Sequence, residues 1–401
     1  MEASVDPLIW YTGYDQPLRT IIRAENCCLY DAGGNRYVDL ESGVWCTSIG
    51  HSHPRILQVL SEQAGRIAHT GFSYSHPIVA EAAKKILAMH GFDDGRCIFL
   101  CSGSEAVEFG VRVAQTVNPR PMLLTLADSY FGAYGSAHVR RPDEWFVFDW
   151  MACADCDGDK ACSRACEHWV AIPFDRIGGF LFEPGSSSGL VRFPPKKLIR
   201  SIAAAIREGG GLMLVNEVTT GMGRTGRWFG YQHYDCTPDI VAMGKGIGNG
   251  YPVSATALSI EVAKRMAGSG FRYAQSHQND PLGAAVAMEV VRIIEEENLI
   301  ARGREMGAVL YEGLEAIRES TGRIAQVRAR GLMAAVDLED DGDAEYAANV
   351  QRTLVKGGFV LARRPNLSTL RIDPALTIER GDIDRFLIVF ENILERRLFG
   401  F

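Results

Sequence analysis

No stretch of this chain reaches the roughly 18 consecutive apolar residues that a membrane-spanning helix needs, so no anchor of that kind is expected. Positive charge is not in excess either: 42 Lys and Arg stand against 49 Asp and Glu, a formal net charge of -7. Such a balance gives no electrostatic pull toward nucleic acid or anionic lipid, and neither is expected as a main partner. The opening residues, MEASVDPLIWYTGYDQ, contain no basic region leading into an apolar one, which points to a cytoplasmic protein. What is present suits a soluble globular chain, with 401 residues giving room for two or three domains. Cysteine is the one residue type that needs an account. Six of the ten, Cys27, Cys28, Cys46, Cys97, Cys101 and Cys236, sit in apolar surroundings and read as small buried hydrophobes.

The richest stretch runs from Leu212 to Tyr251. Leu212 to Val215 is a short apolar run, as in a buried parallel strand, and it ends in Asn216 and Glu217. A second run, Ile240 to Met243, ends in Gly244-Lys245-Gly246. Open α/β sheets bind ligands beyond the carboxyl ends of their strands, so Asn216 and Lys245 are candidates to converge on one site. A lysine desolvated there has a lowered pKa and an amine free to attack a carbonyl, which is Schiff-base chemistry.

Asn216-Glu217-Val218-Thr219-Thr220-Gly221-Met222-Gly223-Arg224-Thr225-Gly226, then Pro238-Asp239-Ile240, then Gly244-Lys245-Gly246 running to Tyr251-Pro252, resembles the class III (ornithine and omega-amino acid) aminotransferases of pyridoxal phosphate fold type I. The family reads approximately D-E-V-x-T-G-x-G-R-T-G, P-D-I and G-K-G-x-G-x-G-Y-P. The resemblance implies that Lys245 forms a Schiff base with pyridoxal 5'-phosphate and that Val218 packs under the pyridine ring. One letter departs: the aspartate that pairs with the ring nitrogen is Asn216 here. A carboxylate holds that nitrogen protonated, shifting its pKa by about 1 to 3 units, and a protonated ring is the stronger electron sink. Asn can hydrogen-bond the nitrogen but cannot hold its charge. The departure implies slowed or retuned chemistry, or an introduced residue.

Elsewhere, Cys28–Asp31 and Arg36–Asp39, joined by Gly33-Gly34-Asn35, read as a hairpin. From about 55 to 290, strand and helix patterns alternate, implying a mostly parallel sheet flanked by helices. Helices are expected over Pro54–His69, Pro77–His90, Ala106–Val117 and Asp280–Glu297, and a strand from Gln326 to Leu338. Ser102-Gly103-Ser104-Glu105 opens the third helix, and small residues there offer backbone N–H groups to an anion. By resemblance Gly103 and Ser104 hold the cofactor phosphate, Tyr130 stacks on the ring and Glu183 of Glu183-Pro184 lies beside it, a structural ion pair being the other reading of Glu183. Ser276 stands where the family has a threonine reaching the neighbouring subunit's cofactor phosphate, so a homodimer with shared sites is implied. Arg371, in a stretch similar to R-x-x-P-P-L, is the implied substrate-carboxylate clamp. Trp45, with Trp10 and Tyr11, is implied in the substrate pocket, core packing being the alternative for Trp45.

Cys153-x2-Cys156-x5-Cys162-x3-Cys166 lies in an expected cysteine-rich insertion, residues 151–168. Four thiols so close together can hold Zn2+ or a [4Fe–4S] cluster, with two disulfides the third option. The expected whole is an α/β protein of fold type I: an N-terminal segment 1–54, a large cofactor domain 55–295, and a small α+β domain, 296–401, completed by the N-terminal segment. The expected activity is transfer of an amino group from an amino acid or amine to a keto acid such as pyruvate or 2-oxoglutarate. A racemase, epimerase or aminomutase on the same fold is the first alternative. A weakly catalytic cofactor-binding protein that senses metal or redox state through its cysteines is the second.

Overall fold

A computed structural model describes residues 8–10, 16–18, 20–154, 156, 162–163 and 165–396. Its centre is a seven-stranded sheet in the order Arg96–Leu100, Ser254–Leu258, Ile240–Met243, Leu212–Asn216, Ile177–Phe182, Met122–Leu126, Trp145–Phe148. The pairs from Ile240–Met243 across to Trp145–Phe148 are parallel. Ser254–Leu258 is antiparallel to both neighbours. Reversing twice returns Arg96–Leu100 to the common direction, so five strands that carry site residues end at the same edge.

The central strands are buried on both faces because their sequences are apolar without alternation. Phe180, Phe182, Met213, Val215, Val241 and Met243 belong to one core, while Leu181, Leu212, Leu214, Ile240 and Ala242 belong to the other. That is the two-residue side-chain period of a strand covered on each side. The helices that cover it have sequence-encoded ends. Pro77–His90 starts with Pro at its first position, takes an Ile78 N–H on the His76 ring, and stops at Gly91 with φ 71. Gly103–Val117 begins in a capping box, Ser102 and Glu105 each bonding the other's backbone N–H, an arrangement worth about 1 kcal/mol.

Two smaller sheets flank this layer. One joins Ile21–Glu25, Cys28–Asp31 and Arg36–Asp39 to Phe359–Val360, so a late strand pairs with the early hairpin. The other orders Ile324–Arg330, Met333–Leu338, Thr369–Ile372 and Ala362–Arg363, all antiparallel. The expected single strand from Gln326 to Leu338 is therefore a hairpin. Gly331 turns it with φ 57, and a Cβ there would stand 2.6 Å from the Gly226 nitrogen, so only glycine fits. The helix expected over Pro54–His69 ends earlier, at Arg66, and that expected from Ala106 begins at Gly103.

Candidate active site

Lys245 follows the strand Ile240–Met243 and sits in the left-handed region, φ 46. Strain of that kind in a residue with a Cβ persists only where its surroundings impose it. Its Nζ is buried, donates to Thr219 Oγ1 at 3.2 Å, and lies 5.3 Å from the centre of the Trp45 ring. Burial pushes the amine below the ordinary lysine range, against the opposing pull of Cys46 and Glu183.

Trp45 is itself at φ 64, in a run of left-handed residues from Ser42 that swings the indole inward. The Arg371 guanidinium stacks on the same indole, 3.7 Å from its centre. Arg371 lies one residue before the end of the strand Thr369–Ile372 and already has acidic company: its Nε lies 3.2 Å from Asp373, which is fully buried, and its Nη2 lies 3.9 Å from Glu41. Burial raises the Asp373 carboxyl, with Arg371 and Arg224 holding it back. Behind them Arg224, completely buried, donates to the carbonyls of Leu332, Asp373 and Pro374 and to Ser42 Oγ. One side chain thereby ties the turn bearing Trp45 to the strand end bearing Arg371.

Asn216 closes the strand Leu212–Asn216 and is 3% exposed. Its Oδ1 accepts from Val218 N–H at 3.1 Å, and its Nδ2 donates to the Tyr130 carbonyl at 3.1 Å and to Glu183 Oε1 at 3.4 Å. Glu183 also accepts from Tyr130 N–H at 3.0 Å and Ser187 Oγ at 2.6 Å. Burial lifts its pKa to about 7, and among the described residues it forms no ion pair. The neighbouring Glu217 is buried with a pKa of about 7 as well, accepting from Gly230 N–H, Tyr231 N–H and Thr220 Oγ1.

The end of Arg96–Leu100 brings in the start of the helix Gly103–Val117. Ser102 Oγ takes the Glu105 N–H and the Ser102 carbonyl takes that of Ala106, leaving the amides of Gly103 and Ser104 without an acceptor among the described residues. A Cβ on Gly103 would come within 2.7 Å of Val218 Cγ1, and one on Gly244 within 3.1 Å of the Gly103 Cα. Glycine at both places lets three strand ends meet. Ser104 Oγ accepts from Ala133 N–H at 3.1 Å, and a Cβ on Gly132 would sit 2.6 Å from that oxygen. Free amides at a helix start, a buried amine with a lowered pKa, an aromatic residue 44% exposed at 130 and an amide at 216 together suit a phosphorylated, aldehyde-bearing aromatic ring.

Lys245, Trp45, Arg371, Glu183, Asn216, Tyr130, Val218, Gly103 and Ser104 thus form one neighbourhood. Thr219, Glu217, Arg224, Ser187, Glu41 and Asp373 join them without having been singled out. Arg224 and Glu217 stood inside the quoted motif, and a charged residue in an otherwise small, apolar stretch was the available signal. Ser276 is exposed, in a turn held to the strand Arg96–Leu100 through paired Asn279–Phe99 bonds of 2.9 Å, and no contact within the chain joins it to Lys245. Trp10 is half exposed and Tyr11 lies outside the described residues. Of the six cysteines expected to be buried, Cys27 and Cys28 are; Cys46, Cys97, Cys101 and Cys236 are partly exposed. All ten cysteines are free thiols. The four of the cysteine-rich segment line one cavity, without converging to ligand spacing. Among the described residues, the one group of ligand atoms within 4.8 Å of each other is His69, His277 and Asp280, where both imidazoles already bond the carboxylate.

The sequence profile of the Aminotransferase class-III family matches residues 10–137 and 147–394, the second stretch running through the cysteine segment. Leucine/methionine racemase of Thermococcus litoralis is 27% identical over 93% of this chain and 90% of that protein. Human mitochondrial alanine–glyoxylate aminotransferase 2 is 28% identical over 92% of this chain and 80% of that protein. Among solved structures, a Bacillus anthracis aminotransferase superposes with a TM-score of 0.88 at 25% identity, covering 97% of this chain and 96% of its own.

Proposed function

The chain belongs to the class-III aminotransferases, and from that membership we propose how its own residues divide the work of moving an amino group from an amino acid or amine to a keto acid. The observation that carries the proposal is the buried amine of Lys245, its pKa lowered by desolvation, at the carboxyl edge of the sheet. Pyridoxal 5'-phosphate, the family's cofactor, supplies when bound an aldehyde for amines and a ring that spreads the electrons left when a substrate carbon loses its proton. Lys245 would hold it through its amine, and the same Nζ would take up and return the substrate's proton.

Gly103 and Ser104 bind the phosphate through backbone N–H groups aided by the helix dipole. Tyr130 and Val218 would pack against the ring. Asn216, its amide held by Glu183, would face the ring nitrogen. Arg371 takes the carboxylate of the donor or keto acid and Trp45 walls the pocket. Ser276 acts on the site of a second subunit, which makes the working unit a homodimer. We place the protein in the cytoplasm; no helix among the described residues is long and apolar enough to cross a membrane. The division into segments 1–54, 55–295 and 296–401 is part of the same proposal, as is a metal, Zn2+ or a [4Fe–4S] cluster, at Cys153, Cys156, Cys162 and Cys166.

The test is a panel of amine donors offered with pyruvate and with 2-oxoglutarate. Release of a carbonyl product matched by a new amino acid supports transfer. The similarity to racemases keeps one rival reading in view, and inversion of an L-amino acid with no keto acid consumed would establish it instead.

A further inference from the structure

Four thiols take no part in the neighbourhood of Lys245. Cys153 and Cys156 close one turn, the Cys156 N–H donating to the Cys153 carbonyl at 3.3 Å. Cys162 and Cys166 belong to a second, where the Cys166 N–H donates to the Ser163 carbonyl at 3.0 Å. The Cys162 N–H bonds Ser201 Oγ at 3.0 Å, fastening that turn to the helix Lys196–Glu208. All four side chains line one cavity of about 260 Å³, shared with Ser163, Ala165, Pro195, Lys197 and Leu198.

Among the described residues those walls contain no carboxylate and no imidazole, and sulfur is the donor they offer. The C-x2-C and C-x3-C spacings both fall within the range of tetrahedral zinc pairs. Four thiolates round one Zn2+ carry a net charge of about -2, and Lys197, in the first turn of its helix, brings its ammonium within 3.9 Å of Cys156 Sγ. Amino-group exchange uses no external electron carrier, so nothing at Lys245 calls for a redox cluster here.

We propose that Cys153, Cys156, Cys162 and Cys166 bind one Zn2+ as a tetrathiolate, with Lys197 as its countercharge, clamping this segment onto the start of the helix Lys196–Glu208. Each thiol gives its proton to solvent as its Zn–S bond forms, and no electron is transferred. The ion draws in sulfurs that share a cavity but stand apart without it. This rests on, and narrows to zinc, the metal already proposed for these four cysteines, none of which is among the residues placed about Lys245.

The test is elemental analysis of the full-length, cofactor-loaded protein purified without added metal, beside the double variant C156S/C166S and the single variant Lys197→Glu. About one zinc per chain is expected in the parent. The double variant should lose it while keeping the absorbance of the lysine-bound cofactor. Should the double variant fail to fold, Lys197→Glu leaves every ligand in place and is expected to weaken zinc about 10- to 100-fold in chelator competition. Iron with acid-labile sulfide, two disulfides, no metal, or zinc unchanged in the double variant would each overturn the proposal, as would unaltered affinity in Lys197→Glu.

Discussion

Replacing Asn216 by Asp restores the family's letter but places a second carboxylate against Glu183. The Asn216 Nδ2 that now donates to Glu183 Oε1 at 3.4 Å would become an acceptor facing an acceptor. At that separation and an effective dielectric constant of about 20, two charges repel by about 5 kcal/mol. Glu183 already titrates near pH 7 through burial alone, so the new pair keeps one proton well above neutrality. An unfolded Asp loses its proton near pH 4, whereas the folded pair retains one, so the unfolded state is favoured increasingly as pH rises. Up to about pH 7 the parent's Glu183 holds one proton as well, so the penalty relative to the parent stays level there and grows by roughly 1.4 kcal/mol per pH unit above it, to about 1.4 kcal/mol more at pH 8 than at pH 5. Urea unfolding of the cofactor-free variant at pH 5, 6.5 and 8 measures it, with Asn216→Ala as the uncharged control. A loss that stays parallel across that range, or a gain in stability at pH 8, would show that Asn216 and Glu183 are not coupled as described.

Arg371→Lys removes a planar fork stacked on Trp45 and should lower kcat/KM for 2-oxoglutarate about 10- to 100-fold, while a donor lacking a carboxylate is affected far less. Asp373→Asn should do the reverse, raising kcat/KM for keto acids roughly fivefold, because a fully buried carboxyl group 3.2 Å from Arg371 competes with the substrate carboxylate; steady-state kinetics over several keto acids distinguish this from a general loss. Glu217→Gln turns an amide N–H toward the Gly230 or Tyr231 N–H and should destabilise the fold. Since the carboxyl pKa rises from 4.5 to about 7 on folding, the parent loses stability between those values and the variant does not. The deficit of Glu217→Gln should therefore be largest near pH 4.5 and narrow by up to about 3 kcal/mol above pH 7, as melting curves will report.

The large sheet was legible because its strands are unbroken apolar runs, and the convergence of Asn216, Glu183 and Lys245 followed from their places at strand ends. The hairpin at Gly331 was not, because that turn is dictated by the backbone of residues 224–226, more than a hundred positions away in the chain. Asp373 lies inside the stretch similar to R-x-x-P-P-L, and only the fold shows it paired with the arginine two residues earlier. Arg224 stood in plain view, but the carbonyls it satisfies belong to segments whose meeting no local pattern encodes.

Everything proposed for the site rests on the amine at position 245. Reduction of the cofactor-loaded protein with borohydride, followed by digestion and mass spectrometry, should find a pyridoxyl group on the peptide containing Lys245 and on no other lysine. An unmodified Lys245, or a label elsewhere in the chain, would contradict the account.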